Sequence, residues 1–409
     1  MTVPATADVP AAVDVIVIGA GPAGSTAANV LATAGHSVVV LDKATFPRDK
    51  CCGDGLTTLA LRELENLGLR PSMVRSWKSV DAAWLRSPSG REVRVPLPSD
   101  GIFAATTPRR ELDAALVDLA IGAGAQVLQG RSLQAIRQSP ASVEVDVAGG
   151  GTITASYAVA ADGMWSATRK ALGVGEPGYL GEWHAFRQYA GNVTGPAAER
   201  LIVWFEPDLL PGYMWSFPLP DGRVNIGFGV QRDGVRRVQE MKPLWDDLLR
   251  RAHVVDALGA GFELEDRHTA WPIPAGIDRA ILTEGRVCFV GDAAMAADIM
   301  TGEGIGQALL TARLAAESII AGGPAEAVAS RYRSAALHHL VADHRMSKAL
   351  GRVLTHRRGA RGAIRLLAGS DWTRRNFARW MFEDEPRAIA FTPSRWHRHF
   401  LHQPGPYQT

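Results

Sequence analysis

The stretch from Val13 to Asp42 constrains the fold of this chain more than any other. Val13–Ile18 is a short apolar, β-branched run, the pattern of a strand buried on both faces. Gly19, Gly21 and Gly24 follow at GxGxxG spacing, with Pro22 and Ala23 between the last two. Ser25–Ala34 is Ala-rich and helical in character and stops at Gly35. A second apolar strand, Val38–Leu41, runs into Asp42 and Lys43. This is a βαβ unit with a reason at each position. Gly19 lets the chain turn tightly, Gly21 lets backbone N–H groups approach a pyrophosphate, and Gly24 lets the helix lie close to the sheet. The helix N-terminus offers unpaired donors and a positive dipole end. Asp42, 18 positions beyond Gly24, stands where a carboxylate takes the ribose hydroxyls of an adenosine.

The chain has 409 residues, 46% hydrophobic and 21% charged, enough for two or three packed units. A net charge of +2 makes no case for nucleic acid. The charge is uneven, however. Residues 331–409 hold 15 Lys+Arg against 5 Asp+Glu, a net of +10, which leaves −8 for the remainder. Cys51, Cys52 and Cys288 make no disulfide framework and suit a reducing cytosol. A Cys51–Cys52 bridge would be strained and is not expected. The segment before Val13 has neither the basic start nor the apolar run of a signal peptide, and no stretch of 18 apolar residues offers a membrane span. No metal-ligand set is read.

Along the chain, a loop after Asp42 leads to an amphipathic helix over Thr57–Leu67. Ser79–Arg86 and Glu92–Leu97 alternate like a hairpin, and Pro108 opens a helix over Arg109–Ala123. Gln126–Leu128, Ser142–Val147 and Thr152–Ala160 read as strands. Between Trp183 and Trp271 short alternating segments predict an antiparallel sheet, with one helix near Val238–His253. Arg286–Val290 returns to a buried-strand pattern before a long helix, Ile305–Ala321. The expected fold class is therefore α/β: a discontinuous Rossmann-type nucleotide domain (1–78, 106–180, 276–330), a substrate domain made of a hairpin (79–105) and an inserted antiparallel sheet (181–275), and a basic helical region (331–409).

Four motifs then fall in one order. They are the glycine loop, Arg109 in Arg-Arg-Glu-Leu-Asp, Asp162-Gly163 with Ser166 and Arg169 behind it, and Val290-Gly291-Asp292-Ala-Ala followed by Met300-Thr-Gly302-Glu-Gly304-Ile305. This order resembles the flavoprotein group of para-hydroxybenzoate hydroxylase-type monooxygenases, flavin halogenases and geranylgeranyl reductases. The resemblance implies FAD as cofactor, with a glutathione reductase-like FAD-binding fold. It implies that Gly19, Gly21 and Gly24 hold the pyrophosphate, Asp42 the adenosine ribose, Arg109 the polar middle of the cofactor and Asp292 its ribityl chain. The Gly302–Gly306 turn would set a helix N-terminus against the isoalloxazine, where helix-end N–H groups stabilise negative charge on a reduced flavin.

Two further elements separate the subgroups. Lys50-Cys-Cys-Gly-Asp-Gly-Leu follows a Phe-Pro-Arg loop, and Tyr213-Met-Trp-Ser-Phe-Pro is followed, after eight residues, by Gly227-Phe-Gly229. Both resemble marks of geranylgeranyl reductases and imply saturation of isoprenoid C=C bonds by hydride from reduced flavin. Cys52 occupies that family's cysteine position, as a proton donor or as part of the loop's shape. Tyr213, Trp215 and Phe217 alternate and so share a strand face, as the wall of an apolar slot beside the flavin requires. One departure stands out. Relatives often continue Gly-Leu-Thr-Pro-Arg-Ala, whereas this chain has Gly55-Leu-Thr-Thr-Leu-Ala, without an arginine for a substrate diphosphate.

Three readings follow. The first is an FAD-dependent reductase of a prenyl chain, on a quinone or a prenyl lipid. The second is a monooxygenase or halogenase-like tailoring enzyme for an aromatic or polyketide substrate. The third is a flavin-binding carrier without turnover. The electron donor is left between NADPH and a ferredoxin-like protein. The tail, with Arg352–Arg358 and Ile364-Arg-Leu-Leu, reads either as helices resting on anionic lipid or as a solvated cap over the cavity. The expected location is cytoplasmic, with peripheral membrane contact open.

Overall fold

The computed structural model describes residues 9–232, 240–396 and 403–408. Strand β1 (Ala12–Ile18) lies between Thr152–Ala160 and β2 (Val38–Asp42), parallel to both. Gln126–Gln129 continues the sheet beyond β2, and Val287–Phe289 continues it beyond Thr152–Ala160, again in parallel. Val15–Ile18 and Val38–Leu41 are buried. The β-branched runs have helices over them, which is why they carry no alternation. The sheet draws on segments far apart in the chain, so the nucleotide domain is discontinuous.

Helix α1 (Pro22–Thr33) makes the crossover from β1 to β2. Helix α2 (Thr58–Asn66) is capped by Thr57, whose side chain accepts from the Ala60 N–H. Helix α3 (Arg109–Gly122) and helix α4 (Ile305–Ile320) both pack on α1. The Ala-rich faces of α1 and α4 allow that close approach.

The second sheet has seven strands, in the order Glu263–Ile273, Trp183–Gly191, Val224–Gln231, Tyr213–Pro218, Leu201–Trp204, Ala82–Arg86, Glu92–Pro96. The strands between Trp183 and Ile273 pair antiparallel, as expected, and the hairpin joins them through a parallel pairing of Ala82–Arg86 with Leu201–Trp204. One expectation is corrected here: Ser79–Arg86 is not one strand. Lys78–Ser79 pairs with Ala105–Thr106 in a small third sheet, and only Ala82–Arg86 joins the large one. The helix expected near Val238–His253 is also two, Met241–Leu248 and Ala252–Leu258, its first residues lying outside the described chain. Arg251 has extended backbone at the break, where its guanidinium pairs with Glu206, Asp208 and Asp247.

The C-terminal region continues as α5 (Ala342–Leu354), α6 (Arg357–Leu367) and α7 (Asp371–Met381), and α6 and α7 pack on this sheet. Ile364, Ala378 and Phe382 are buried against Leu85, Val95 and Leu201. The expected run of Arg352–Arg358 spans a break, with His356 extended between α5 and α6. No helix among the described residues is long and apolar enough to cross a membrane.

Candidate active site

One cavity of about 1610 Å³ runs from the glycine loop, past the Cys52 loop, to the C-terminal helices. Single small-molecule sites are usually about 300–1,000 Å³, so this one has room for two ligands end to end. Of the site residues read from the sequence, Gly19, Gly21, Pro22, Ala23, Asp42, Lys43, Cys52, Arg109, Asp162, Tyr213, Trp215, Gly291, Asp292, Gly302, Gly304 and Ile305 line it. Gly24 does not. A Cβ there would stand 1.7 Å from the Gly19 carbonyl oxygen, so its part is the close fit of α1 to the turn.

The nucleotide end has the features a pyrophosphate needs. Gly19 has φ +100°, and a Cβ on it would stand 2.4 Å from the Ala161 carbonyl oxygen. A Cβ on Gly21 would meet only an Arg48 guanidinium nitrogen, 3.6 Å away. No side chain caps the N-terminus of α1, so its first amides are open to an anion. Asp42 receives the Ala20 and Ala44 N–H groups at 2.8 Å each, which fixes its carboxylate at the end of β2. Asp162 accepts from the Thr168 N–H at 2.8 Å, and its other oxygen is buried without a partner. Arg169 braces the Asp292 turn by donating to the Ala293 and Ile281 carbonyls. These residues fit FAD.

Farther in, Arg109 opens α3 and donates to both oxygens of buried Asp113, at 2.7 and 2.9 Å. Arg48 meets the same carboxylate at 3.0 Å. Lys50 lies 3.5 Å over the Trp271 ring, and burial lowers its pKa to about 8. Burial raises the Asp292 carboxyl, opposed by Lys50 and Arg109. Glu303 caps α4 by accepting the Ile305 and Gly306 N–H groups at 3.0 Å each. Burial, outweighing those bonds, pushes its pKa up to about 7. The helix end expected to face a flavin is thus partly taken by the chain's own carboxyl.

The Cys52 loop is held from the second sheet. Asn225 donates to the Cys52 carbonyl and to Asp54, 2.8 Å each, and accepts from the Trp215 indole at 3.1 Å. Tyr189 donates to Asp54 at 2.6 Å. Asp54 is fully buried at φ +63°, and burial raises its pKa to about 6. Asp tolerates that left-handed backbone better than most residues. The loop runs close to the Trp215 and Phe217 rings: a Cβ on Gly53 would stand 3.4 Å from Phe217 and 3.5 Å from Trp215, and one on Gly55 3.0 Å from Phe217. Burial keeps the Cys52 thiol protonated, at about 11. Cys51 and Cys52 are both free.

Tyr213 and Trp215 face the cavity, yet their polar atoms are engaged elsewhere. The Tyr213 hydroxyl donates to the Thr301 carbonyl, which ties the second sheet to the Gly302 turn. Trp215 secures Asn225. Those two bonds hold the Gly302 turn and the Asn225 side chain in place. Arg48, Lys50, Asn225 and Glu303 were not assigned from the sequence. Asn225 leaves a signal, as a polar residue inside the apolar run Val224–Val230. The other three lie within motifs whose spacing does not reveal where a long side chain goes.

A Rossmann-type sheet, an open glycine cradle and an adjoining apolar chamber define a flavoprotein oxidoreductase. The FAD binding domain family matches residues 12–322. A menaquinone reductase from Mycolicibacterium smegmatis is 34% identical over 76% of this chain and 77% of its own length. A digeranylgeranylglycerophospholipid reductase from Methanopyrus kandleri is 31% identical over 74% and 79%. The crystal structure of a geranylgeranyl bacteriochlorophyll reductase-like protein from Thermoplasma acidophilum superposes with a TM-score of 0.77 at 20% identity, covering 94% of this chain and 100% of that one. The chain belongs to the geranylgeranyl reductase family of FAD-dependent oxidoreductases.

Proposed function

We propose that this enzyme saturates C=C bonds in the isoprenoid chain of a prenylated quinone. The observation that carries the reading is the continuity of one cavity from the glycine loop to an apolar chamber between Leu201, Val203, Phe205, Phe377 and Trp380. An isolated alkene has no polar handle, so it must be held by shape in a dry slot. Reduced FAD, when bound, supplies a hydride. The Cys52 thiol, protonated at ordinary pH and opening on the same cavity, would supply the proton. A quinone is favoured over a diphosphate lipid by the α2 turn. Thr58 spends its hydroxyl on the Phe103 carbonyl at 2.7 Å, and Leu59 is apolar, so that turn offers no cation. Of the relatives, the menaquinone reductase is named for a prenylated quinone and the digeranylgeranylglycerophospholipid reductase for a prenyl lipid, so both names agree on an isoprenoid chain and the choice of a quinone rests on the α2 turn.

The test is anaerobic. Dithionite-reduced holoenzyme is mixed with menaquinone, and the flavin spectrum and product mass are followed. Flavin reoxidation with gain of H₂ in the prenyl chain supports the reading. Reoxidation that needs oxygen overturns it in favour of a tailoring oxygenase. Cys52→Ala is expected to slow reoxidation about 10²-fold or more at unchanged FAD content.

A further inference from the structure

We infer that the mouth of the cavity, built by α5, α6 and α7, is a docking surface for an anionic lipid bilayer. Val353 at the end of α5 and Leu366 on α6 both line the cavity. They are nevertheless 56% and 73% exposed, so the cavity meets solvent there. Between them α6 separates its faces. Ala360 and Ile364 are buried, while Arg357, Arg358, Arg361 and Arg365 are exposed. Trp372, on the first turn of α7, is 71% exposed next to cavity-lining Thr373.

The charge around this rim is one-sided. Residues 352–375 hold seven arginines and one acid, Asp371. Asp371 pairs with Arg374. Among the described residues, Arg352, Arg357, Arg358, Arg361, Arg365 and Arg375 form no ion pair. A soluble acidic protein would match that charge. It would not account for exposed Val353 and Leu366 on the lining of an open cavity, with exposed Trp372 next to cavity-lining Thr373. A bilayer accounts for both, because guanidinium groups lie among phosphates while Leu, Val and Trp enter the acyl boundary. A long apolar ligand could then pass from the bilayer into the cavity without crossing water.

Vesicle flotation of the full-length FAD-loaded protein tests this without turnover, so its failure leaves the reductase reading untouched. The protein is expected to float with vesicles of phosphatidylcholine and phosphatidylglycerol and not with phosphatidylcholine alone, and to release as salt rises. Replacing Arg357, Arg358, Arg361 and Arg365 together by Gln should weaken binding at least about tenfold. Trp372→Ser with Leu366→Ser should weaken it while preserving the salt dependence. Unchanged FAD content and melting temperature certify the folded state of each variant. Equal binding to both vesicle types, undiminished binding of the four-Gln variant, or no flotation of the parent protein would each overturn the inference. The last result would leave an acidic protein as the partner of this face.

Discussion

The carboxyl of Glu303 caps α4 from inside the cavity, and its pH behaviour gives a residue-scale prediction. Its folded pKa of about 7 lies above the ordinary value of 4.5. The folded protein therefore holds this proton where the unfolded chain has lost it. Its contribution to stability is complete below the ordinary value and is lost as pH rises through about 7. Glu303→Gln keeps an acceptor for the Ile305 and Gly306 amides but removes the titration. Relative to the parent, the variant should gain on the order of 1–3 kcal/mol between pH 5 and pH 8. Urea unfolding of both FAD-loaded proteins at the two pH values measures it. The difference between proteins is used because Asp54 and Lys50 titrate in both.

At the scale of elements, the Tyr213–Pro218 strand and the glycines of its neighbour explain one another. Trp215 stands in register with Gly227, and Tyr213 with Gly229. A Cβ on Gly227 would stand 2.4 Å from both the Trp215 ring and the Phe186 carbonyl oxygen. Gly227→Ala should therefore cost about 1–3 kcal/mol by overpacking. It should also tilt Trp215 off Asn225 and loosen the Cys52 loop, giving a lower denaturation midpoint together with faster alkylation of Cys52. The shared face of Tyr213, Trp215 and Phe217 was legible in the sequence because strand periodicity is two. The βαβ unit was legible because its steric demands are local. The Asp54–Asn225 bond was not, since it joins residues 171 positions apart that no pattern connects. The parallel pairing of Leu201–Trp204 with Ala82–Arg86 was hidden for the same reason, because alternation gives a strand's faces and not its neighbour.

Over the whole molecule, the C-terminal region read from its charge as basic and amphipathic, and its buried acidic clasp stayed hidden. Residues Phe382–Arg387 carry that clasp between the helices and the nucleotide domain. Arg387, almost wholly buried, pairs with Asp298, approaches Glu383 to 3.4 Å and donates to Ser347 at 3.0 Å. Gln307 of α4 donates to Glu383 at 2.8 Å, and Arg62 of α2 reaches Asp384. Asp298 in turn receives the Thr301 N–H at 2.7 Å, on the same turn that Tyr213 holds from the second sheet. One guanidinium thus joins the cavity's helical wall to the turn beneath it. Arg387→Met would leave Asp298 and Glu383 buried without their cation, at a cost of about 3–5 kcal/mol. Were α5–α7 an independent cap, faster amide hydrogen exchange would stop at those helices. Because the Asp298–Thr301 turn is shared, exchange should rise also at the start of α4 and in the Tyr213 strand. Asp298→Asn in the same chain should recover part of the loss, since it removes one of the stranded charges.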